Sequence, residues 1–204
     1  MMTKIDSLVL GSYAANCYLL WKNSHVLIVD PGSKSPKIQK LIAMQGGLVD
    51  GIYLTHGHFD HIAGVDSLAS YYSCSVYMNP LDIPLLSNPY LNASAGTGEE
   101  VIVKTGVIGL EPGINQIGEF AFELIDAPGH SEGSCLMIWE GNMICGDVLF
   151  QGSIGRTDLI TGSNTKMAQT LKKIKQMDAN LKIYPGHGST TTLQQELLHN
   201  PFLI

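Results

Sequence analysis

Gly51-Ile52-Tyr53-Leu54-Thr55-His56-Gly57-His58-Phe59-Asp60-His61 is the stretch on which the reading of this chain turns. Its first half, Gly51 to Thr55, is largely apolar and reads as a short buried strand. Beyond it, Ile62, Val65, Leu68 and Tyr72 recur at the spacing of one helix face. Between the two, His56, His58, Asp60 and His61 offer four metal-seeking side chains within six residues. They sit where a strand turns into a helix, a place where active-site residues of layered α/β folds collect. One such turn cannot satisfy a catalytic ion by itself, so other parts of the chain should supply further ligands.

Working outward, residues 5–10, 15–21 and 25–30 read as three strands, with Lys22-Asn23-Ser24 turning between the last two. Val26 to Val29 is apolar at consecutive positions, as in a strand covered on both faces. It stops at Asp30-Pro31-Gly32, and a helix is predicted from Ser35 to Gln45, ended by Gly46-Gly47. Ser75 to Met78 predicts a further strand and Pro80 to Leu86 a short helix or turn. Residues 87–100 are rich in Asn, Gly, Ser and Pro and read as a long loop, either a lid or a surface excursion. Strands are then predicted over Val101–Lys104, Ile114–Ile117, Phe120–Ala127, Ser134–Trp139, Asn142–Cys145 and Lys182–Tyr184, and helices over Thr165–Met177 and Thr191–His199.

Three of the later strands end as the first one does, on a potential ligand: Pro128-Gly129-His130, Gly146-Asp147 and Pro185-Gly186-His187. Five of the seven histidines thus fall at strand ends, while His25 and His199 read as ordinary, partly exposed residues. The order of elements suggests two αβ halves packed sheet to sheet within one domain, residues 1–204.

Composition narrows the function. With 204 residues, 45% hydrophobic and 15% charged, the chain can bury a substantial core. A net charge of −6 with no Lys/Arg cluster argues against nucleic acid as a partner, since that binding draws on many phosphate contacts. No apolar run approaches a membrane span, and Asp6 and Ser7 interrupt any signal-peptide core, so a cytoplasmic protein is expected. Cys17, Cys74, Cys135 and Cys145 show no metal-type spacing and read as free thiols.

Imidazole and carboxylate ligands suit Zn²⁺, with Fe or Mn as alternatives. Five His and two Asp exceed the needs of one tetrahedral ion and divide between two, with one carboxylate bridging. Val29-Asp30-Pro31-Gly32, Thr55-His56-Gly57-His58-Phe59-Asp60-His61, Ala127-Pro128-Gly129-His130-Ser131, Gly146-Asp147-Val148-Leu149-Phe150 and Tyr184-Pro185-Gly186-His187-Gly188, in this order, resemble the metallo-β-lactamase superfamily along nearly the whole chain. That resemblance implies an α/β fold, a four-layer αβ/βα sandwich of two mixed sheets with helices on the outer faces. It implies a first metal on His56, His58 and His130, a second on Asp60, His61 and His187, and Asp147 between them. Asp30 would then support the ligand loops, or else simply cap a turn.

Gly155-Arg156-Thr157-Asp158 is similar to the glyoxalase II-like branch, whose members hydrolyse S-lactoylglutathione. Two-domain members carry a helical glutathione-gripping domain, whereas 17 residues follow His187 here. The expectation is therefore a small binuclear thioesterase acting on a small-molecule thioester through a metal-bound hydroxide. Asp60 would orient the nucleophile. Arg156 would either pair with a substrate carboxylate or form an internal salt bridge with Asp158. A mononuclear-iron persulfide dioxygenase is the main rival, and other ester or lactone hydrolases stand behind it. Monomer and homodimer are both compatible with the chain.

Overall fold

The computed structural model describes residues 3–204; Met1 and Met2 lie outside it. The first sheet holds β1 (Thr3–Leu10), β2 (Ala15–Lys22), β3 (His25–Val29), β4 (Leu48–Tyr53), β5 (Val76–Met78) and β6 (Val107–Gly109), in that spatial order. β1 to β3 are antiparallel neighbours, while β3 to β6 run parallel. Parallel neighbours need crossovers. α1 (Pro36–Met44) supplies the first, α2 (Phe59–Ile62) with α3 (Val65–Tyr72) the second, and a 3-10 helix over Pro80–Ser87 starts the third.

The second sheet combines β7 (Gly113–Ile117), β8 (Phe120–Asp126), β9 (Cys135–Trp139), β10 (Asn142–Gly146), β13 (Lys182–Pro185) and β14 (Thr191–Thr192), in the order β14-β13-β10-β9-β8-β7. A two-stranded ribbon, β11 (Leu149–Phe150) with β12 (Ser153–Ile154), lies between β10 and α4 (Asn164–Ile174) in the chain, and α5 (Leu193–His199) follows β14. The expected 87–100 loop starts one residue later, since Ser87 closes the 3-10 helix; residues 88–100 contain neither helix nor strand.

β3 shows why the layers stack as they do. Val26, Leu27, Ile28 and Val29 are all fully buried, and successive side chains point to opposite faces. Val26 and Ile28 join a core that includes Ile38 and Ile42 of α1 and Leu68 of α3. Leu27 and Val29 join a second core with Phe120, Phe122, Met137 and Trp139 of the other sheet. A third core sets Met143 and Ile183 against Met167, Leu171 and Ile174 of α4 and Leu193 of α5. Helix, sheet, sheet and helix make the four-layer αβ/βα sandwich.

Several sequence expectations need correction. Val101–Lys104 is not a strand; the sixth strand of the first sheet is Val107–Gly109 instead. The amides of that segment are taken elsewhere: Val101 N–H donates to Ser94 Oγ, Val103 N–H to Leu86 O, and Lys104 N–H to the Asp66 carboxylate. A short apolar run cannot build a ladder when its donors are already used. The single helix expected after the ligand turn is two, α2 and α3, with a break at Gly64. There Gly64 N–H donates to Pro31 O, and a Cβ would stand 2.4 Å from Ser33 O. α1 agrees closely with expectation, capped by Ser35 with Pro36 in its first turn. All four cysteines are free thiols and three are buried, as read.

Phe120 is fully buried between the sheets, its ring centroid 5.7 Å from that of Trp139. Phe120→Ala should cost about 3–5 kcal/mol of stability, read as a lower midpoint in urea titration.

Candidate metal centre

The site is assembled at the ends of strands from both sheets. β4 ends at Tyr53 and delivers Thr55 to His61; β8 leads to His130, β10 to Asp147, and β13 to His187. Its foundation is Asp30, just past β3. The Asp30 carboxylate accepts Thr55 N–H at 2.8 Å, Thr55 Oγ1 at 2.6 Å, and contacts His61 Nδ1 at 3.0 Å. It thus supports the ligand loop. Asp30 adopts φ 49°, a left-handed conformation that costs about 1–3 kcal/mol and that Asp tolerates better than most residues. Gly32 lets the same turn approach α2: a Cβ there would lie 1.7 Å from Asp60 O.

All seven ligand-type residues predicted from sequence come together. Ligand atoms of His56, His58 and His130 lie within 4.8 Å of one another, as do those of Asp60, His61 and His187. Asp147 stands between the groups, its Oδ1 3.4 Å from His61 Nε2 and its Oδ2 3.6 Å from His130 Nε2 and 3.5 Å from His187 Nε2. Asp60 Oδ2 is 3.2 Å from His187 Nε2.

Three imidazoles are aimed by what holds their other nitrogen. His56 Nδ1 meets Thr55 Oγ1 at 3.0 Å, His61 Nδ1 meets Asp30, and His130 Nδ1 meets the Arg156 carbonyl at 2.8 Å. That leaves Nε2 of each for the cluster. His56 Nε2, His58 Nε2, His61 Nε2 and Asp147 Oδ1 are buried without hydrogen-bond partners. His56 Nε2 and His58 Nε2 face no partner among the described residues, and His61 Nε2 and Asp147 Oδ1, 3.4 Å apart, have only each other's charge; burying an unpaired polar atom costs about 1–3 kcal/mol, so the group fits a cation rather than a packed core. His58 Nδ1 and His130 Nε2, only 2.8 Å apart, demand a shared proton or a neighbouring cation for the same reason.

The description of the metallo-beta-lactamase superfamily fits residues 10–187, from the end of β1 to the last cluster histidine. The chain belongs to that superfamily. It is 36% identical over 198 residues to the probable metallo-hydrolase YqgX of Bacillus subtilis, covering 95% of this chain and 94% of the relative. It is 29% identical to the hydroxyacylglutathione hydrolase GloC of Haemophilus influenzae, covering 98% and 97%. Among solved structures, BLEG-1 B3 metallo-beta-lactamase superposes with a TM-score of 0.94 at 34% identity, covering 98% of this chain and 99% of that one. TTHA1623 in a di-iron-bound form gives 0.88 at 34% identity, covering 97% and 100%.

The superfamily ligand turn is held by residues that the sequence reading did not single out. Asp82, fully buried in the 3-10 helix, accepts Gly57 N–H at 2.9 Å, Ser131 Oγ at 2.6 Å and Gly133 N–H at 2.6 Å. It joins the His56–His58 loop to the His130 loop. An acid inside the apolar run Pro80-Leu81-Asp82-Ile83-Pro84-Leu85-Leu86 is the sequence signal that marks it. Asn16, on β2, similarly ties the first sheet to the His187 loop, its Nδ2 donating to Pro185 O and Gly188 O at 2.9 Å each. Arg156 meets the cluster through its carbonyl. Its exposed guanidinium forms a double hydrogen bond with Asp158, at 2.7 and 2.8 Å.

Electrostatics prepare the cluster for cations. Burial, reinforced by neighbouring histidines, holds His56 well below the usual imidazole range and His58 at about 3, so both are neutral and able to ligate. Burial opposes charge on His61 and Asp147 too, but their mutual attraction outweighs it, raising His61 and lowering Asp147. Hydrogen bonds to Asp147 and Asp60 raise His187 to about 9.

Two predictions follow from this geometry. His61 and His187 carry protons at neutral pH that an ion must displace, so metal affinity should rise with pH up to about 9. Zinc uptake should release protons, measurable with a pH indicator in weak buffer. Asp82→Ala should weaken metal binding about 10–100-fold, read by competition with a chelating dye, because both ligand loops lose their common anchor.

Proposed function

We propose that this protein is a metal-dependent hydrolase that cleaves acyl thioesters of the S-lactoylglutathione type. The observation that carries the reading is the convergence of unpartnered buried ligand atoms from two triads about one shared carboxylate. His56, His58 and His130 would hold one divalent ion and Asp60, His61 and His187 the other, with Asp147 common to both. Zinc, iron and manganese all suit this donor set. Likeness to a di-iron protein supports iron as much as zinc.

When bound, such ions acidify a water molecule toward neutral pH and polarise a carbonyl oxygen. The chain's own residues do the rest. Asp60, whose carboxylate is the more exposed of the two in the cluster, accepts a hydrogen bond from the attacking water and aligns it on the acyl carbon. The hydrogen bond with His187 lowers Asp60 against the effect of burial; a bound ion, taking the place of that bond's proton, would keep Asp60 ionised and able to act as an acceptor. The departing thiolate needs little protonation, since thiols are acidic beside alcohols. Arg156 would take a substrate carboxylate only by exchanging Asp158 for it.

The relationship to hydroxyacylglutathione hydrolase supports the thioester. The closer likeness to a B3 metallo-beta-lactamase favours a second reading, hydrolysis of a lactam amide by the same attack. Metal-loaded protein should turn over S-lactoylglutathione with kcat/KM of at least about 10⁴ M⁻¹s⁻¹, and Asp60→Ala should abolish it. Turnover of nitrocefin in its place would establish the lactam reading. Oxygen uptake with glutathione persulfide and one iron per chain would replace both with a dioxygenase.

A further inference from the structure

Access to the cluster is one-sided. The side chains of His61 and His130 are 0% and 4% exposed, whereas Asp60 keeps 15% and His187 28%. A carbonyl group therefore reaches the cluster past Asp60 and His187, and whatever stands beside His187 bounds its approach. Phe150 stands there. Its ring meets the His187 imidazole edge to face, with centroids 6.1 Å apart.

The apolar core does not hold Phe150 in that place. It lies in β11, where successive side chains point to opposite faces. Leu149 enters the third core with residues of α4 and α5. Phe150 faces the other way, joins none of the three cores among the described residues, and stays partly exposed. What fixes it is a polar network behind the β11–β12 ribbon, built from Glu196 of α5 and Asn200 just past it, 3% and 0% exposed. The Glu196 carboxylate accepts Gly152 N–H at 2.8 Å and Thr191 Oγ1 at 2.7 Å. Asn200 Nδ2 lies 2.9 Å from Glu196 Oε2, 3.0 Å from Ser153 O and 3.3 Å from Phe150 O, so its two protons serve three oxygens. Buried polar groups are costly to leave unpaired, so the network resists any swing of the ribbon. It also takes up the Gly152 amide and the Phe150 and Ser153 carbonyls, and the ribbon turns a hydrocarbon face to His187.

Resting on the hydrolase reading above, we propose that Phe150 determines acyl specificity: it bounds the substituent on the reacting carbonyl carbon and limits it to a small aliphatic group. Asn200 and Glu196 are positioning residues that make the limit firm. A ring on a free loop would yield to a larger group, whereas a ring on a pinned ribbon does not. The acyl substituent is bonded directly to the reacting carbon, which puts it within reach of a ring that touches His187. An aromatic face suits such an apolar group, while a polar thiol carrier would find no hydrogen-bond partner on it.

The test uses the metal-loaded full chain, at equal metal content in every variant, and calorimetry with acetohydroxamate and benzohydroxamate. These metal-binding compounds carry a methyl and a phenyl group at the acyl position. The wild type should favour acetohydroxamate, and Phe150→Ala should shift the affinity ratio about tenfold toward benzohydroxamate. Asn200→Ala should shift it the same way by less, although Asn200 touches neither compound; should that variant fail to fold, Phe150→Ala, outside the cores, still decides. In turnover, Phe150→Ala should raise kcat/KM for S-mandeloylglutathione over S-lactoylglutathione about tenfold. The ratio between S-lactoylglutathione and S-lactoyl-N-acetylcysteamine, which differ only in thiol carrier, should stay within about twofold. No hydroxamate binding, a wild-type preference for benzohydroxamate, or an unchanged ratio in Phe150→Ala overturns the assignment. A folded Asn200→Ala with the wild-type ratio removes the positioning role. If no thioester is cleaved but the hydroxamate ratio shifts, the thioesterase reading falls and the acyl wall stands. If thioesters are cleaved with ratios indifferent to Phe150, the wall falls and the thioesterase stands.

Discussion

Every imidazole nitrogen withdrawn from water must be given a partner, and at this centre the partners are shared out so that some nitrogens go without. Thr55, Asp30 and the Arg156 carbonyl take one nitrogen each from His56, His61 and His130. The opposite nitrogens are thereby turned toward one another and toward Asp147. Charge holds part of the arrangement, since His61 and His187 face Asp147, but His56 Nε2 and His58 Nε2 are buried with nothing opposite them among the described residues. A cation supplies the missing partner, and the hydrogen bonds behind the rings keep the site ready for it.

The two sheets serve that requirement. Parallel β3 and β4 place Asp30 beside Thr55, and the ends of β8, β10 and β13 present the remaining ligands from the opposite sheet. The halves are pinned together near the ligands as well as through the apolar core. Asn16 holds both sides of the His187 loop, and the Tyr18 hydroxyl donates to Pro185 O at 2.6 Å. Asp82 does the same between the His58 and His130 loops. Small relative movements of the sheets would therefore be felt directly as changes in the spacing of the cluster, and these bonds oppose such movement.

The irregular 87–104 region is part of the same construction. Asn92 organises it, its side chain donating to Leu85 O and Val101 O while its carbonyl accepts Phe59 N–H at the start of α2. A loop that contributes no ligand thus both braces the helix carrying Asp60 and forms one wall of a neighbouring cavity. None of this is visible in the composition of the segment, which shows only an absence of periodicity.

The clustering of five histidines and two aspartates at strand ends, the order of most strands and helices, and the doubly buried character of β3 were legible in the sequence. Each depends on local pattern: histidines past strand ends, apolar runs, and a Ser-Pro helix start. The sandwich and its family were legible because five short motifs occur in a recognisable order. Val101–Lys104 misled because a strand needs free donors, and whether Ser94, Leu86 and Asp66 would claim them is settled by residues distant in the chain. Asp82 and Asn16 carry no local mark of what they connect, since their partners lie 25 to 172 residues away. Sequence alone determined which atoms could ligate and on which strand ends they would stand. Tertiary structure decided which nitrogen of each ring faces the cluster, how the seven groups divide around Asp147, and that Arg156 turns its guanidinium to Asp158, because each of those depends on a contact made only when the two sheets close on one another.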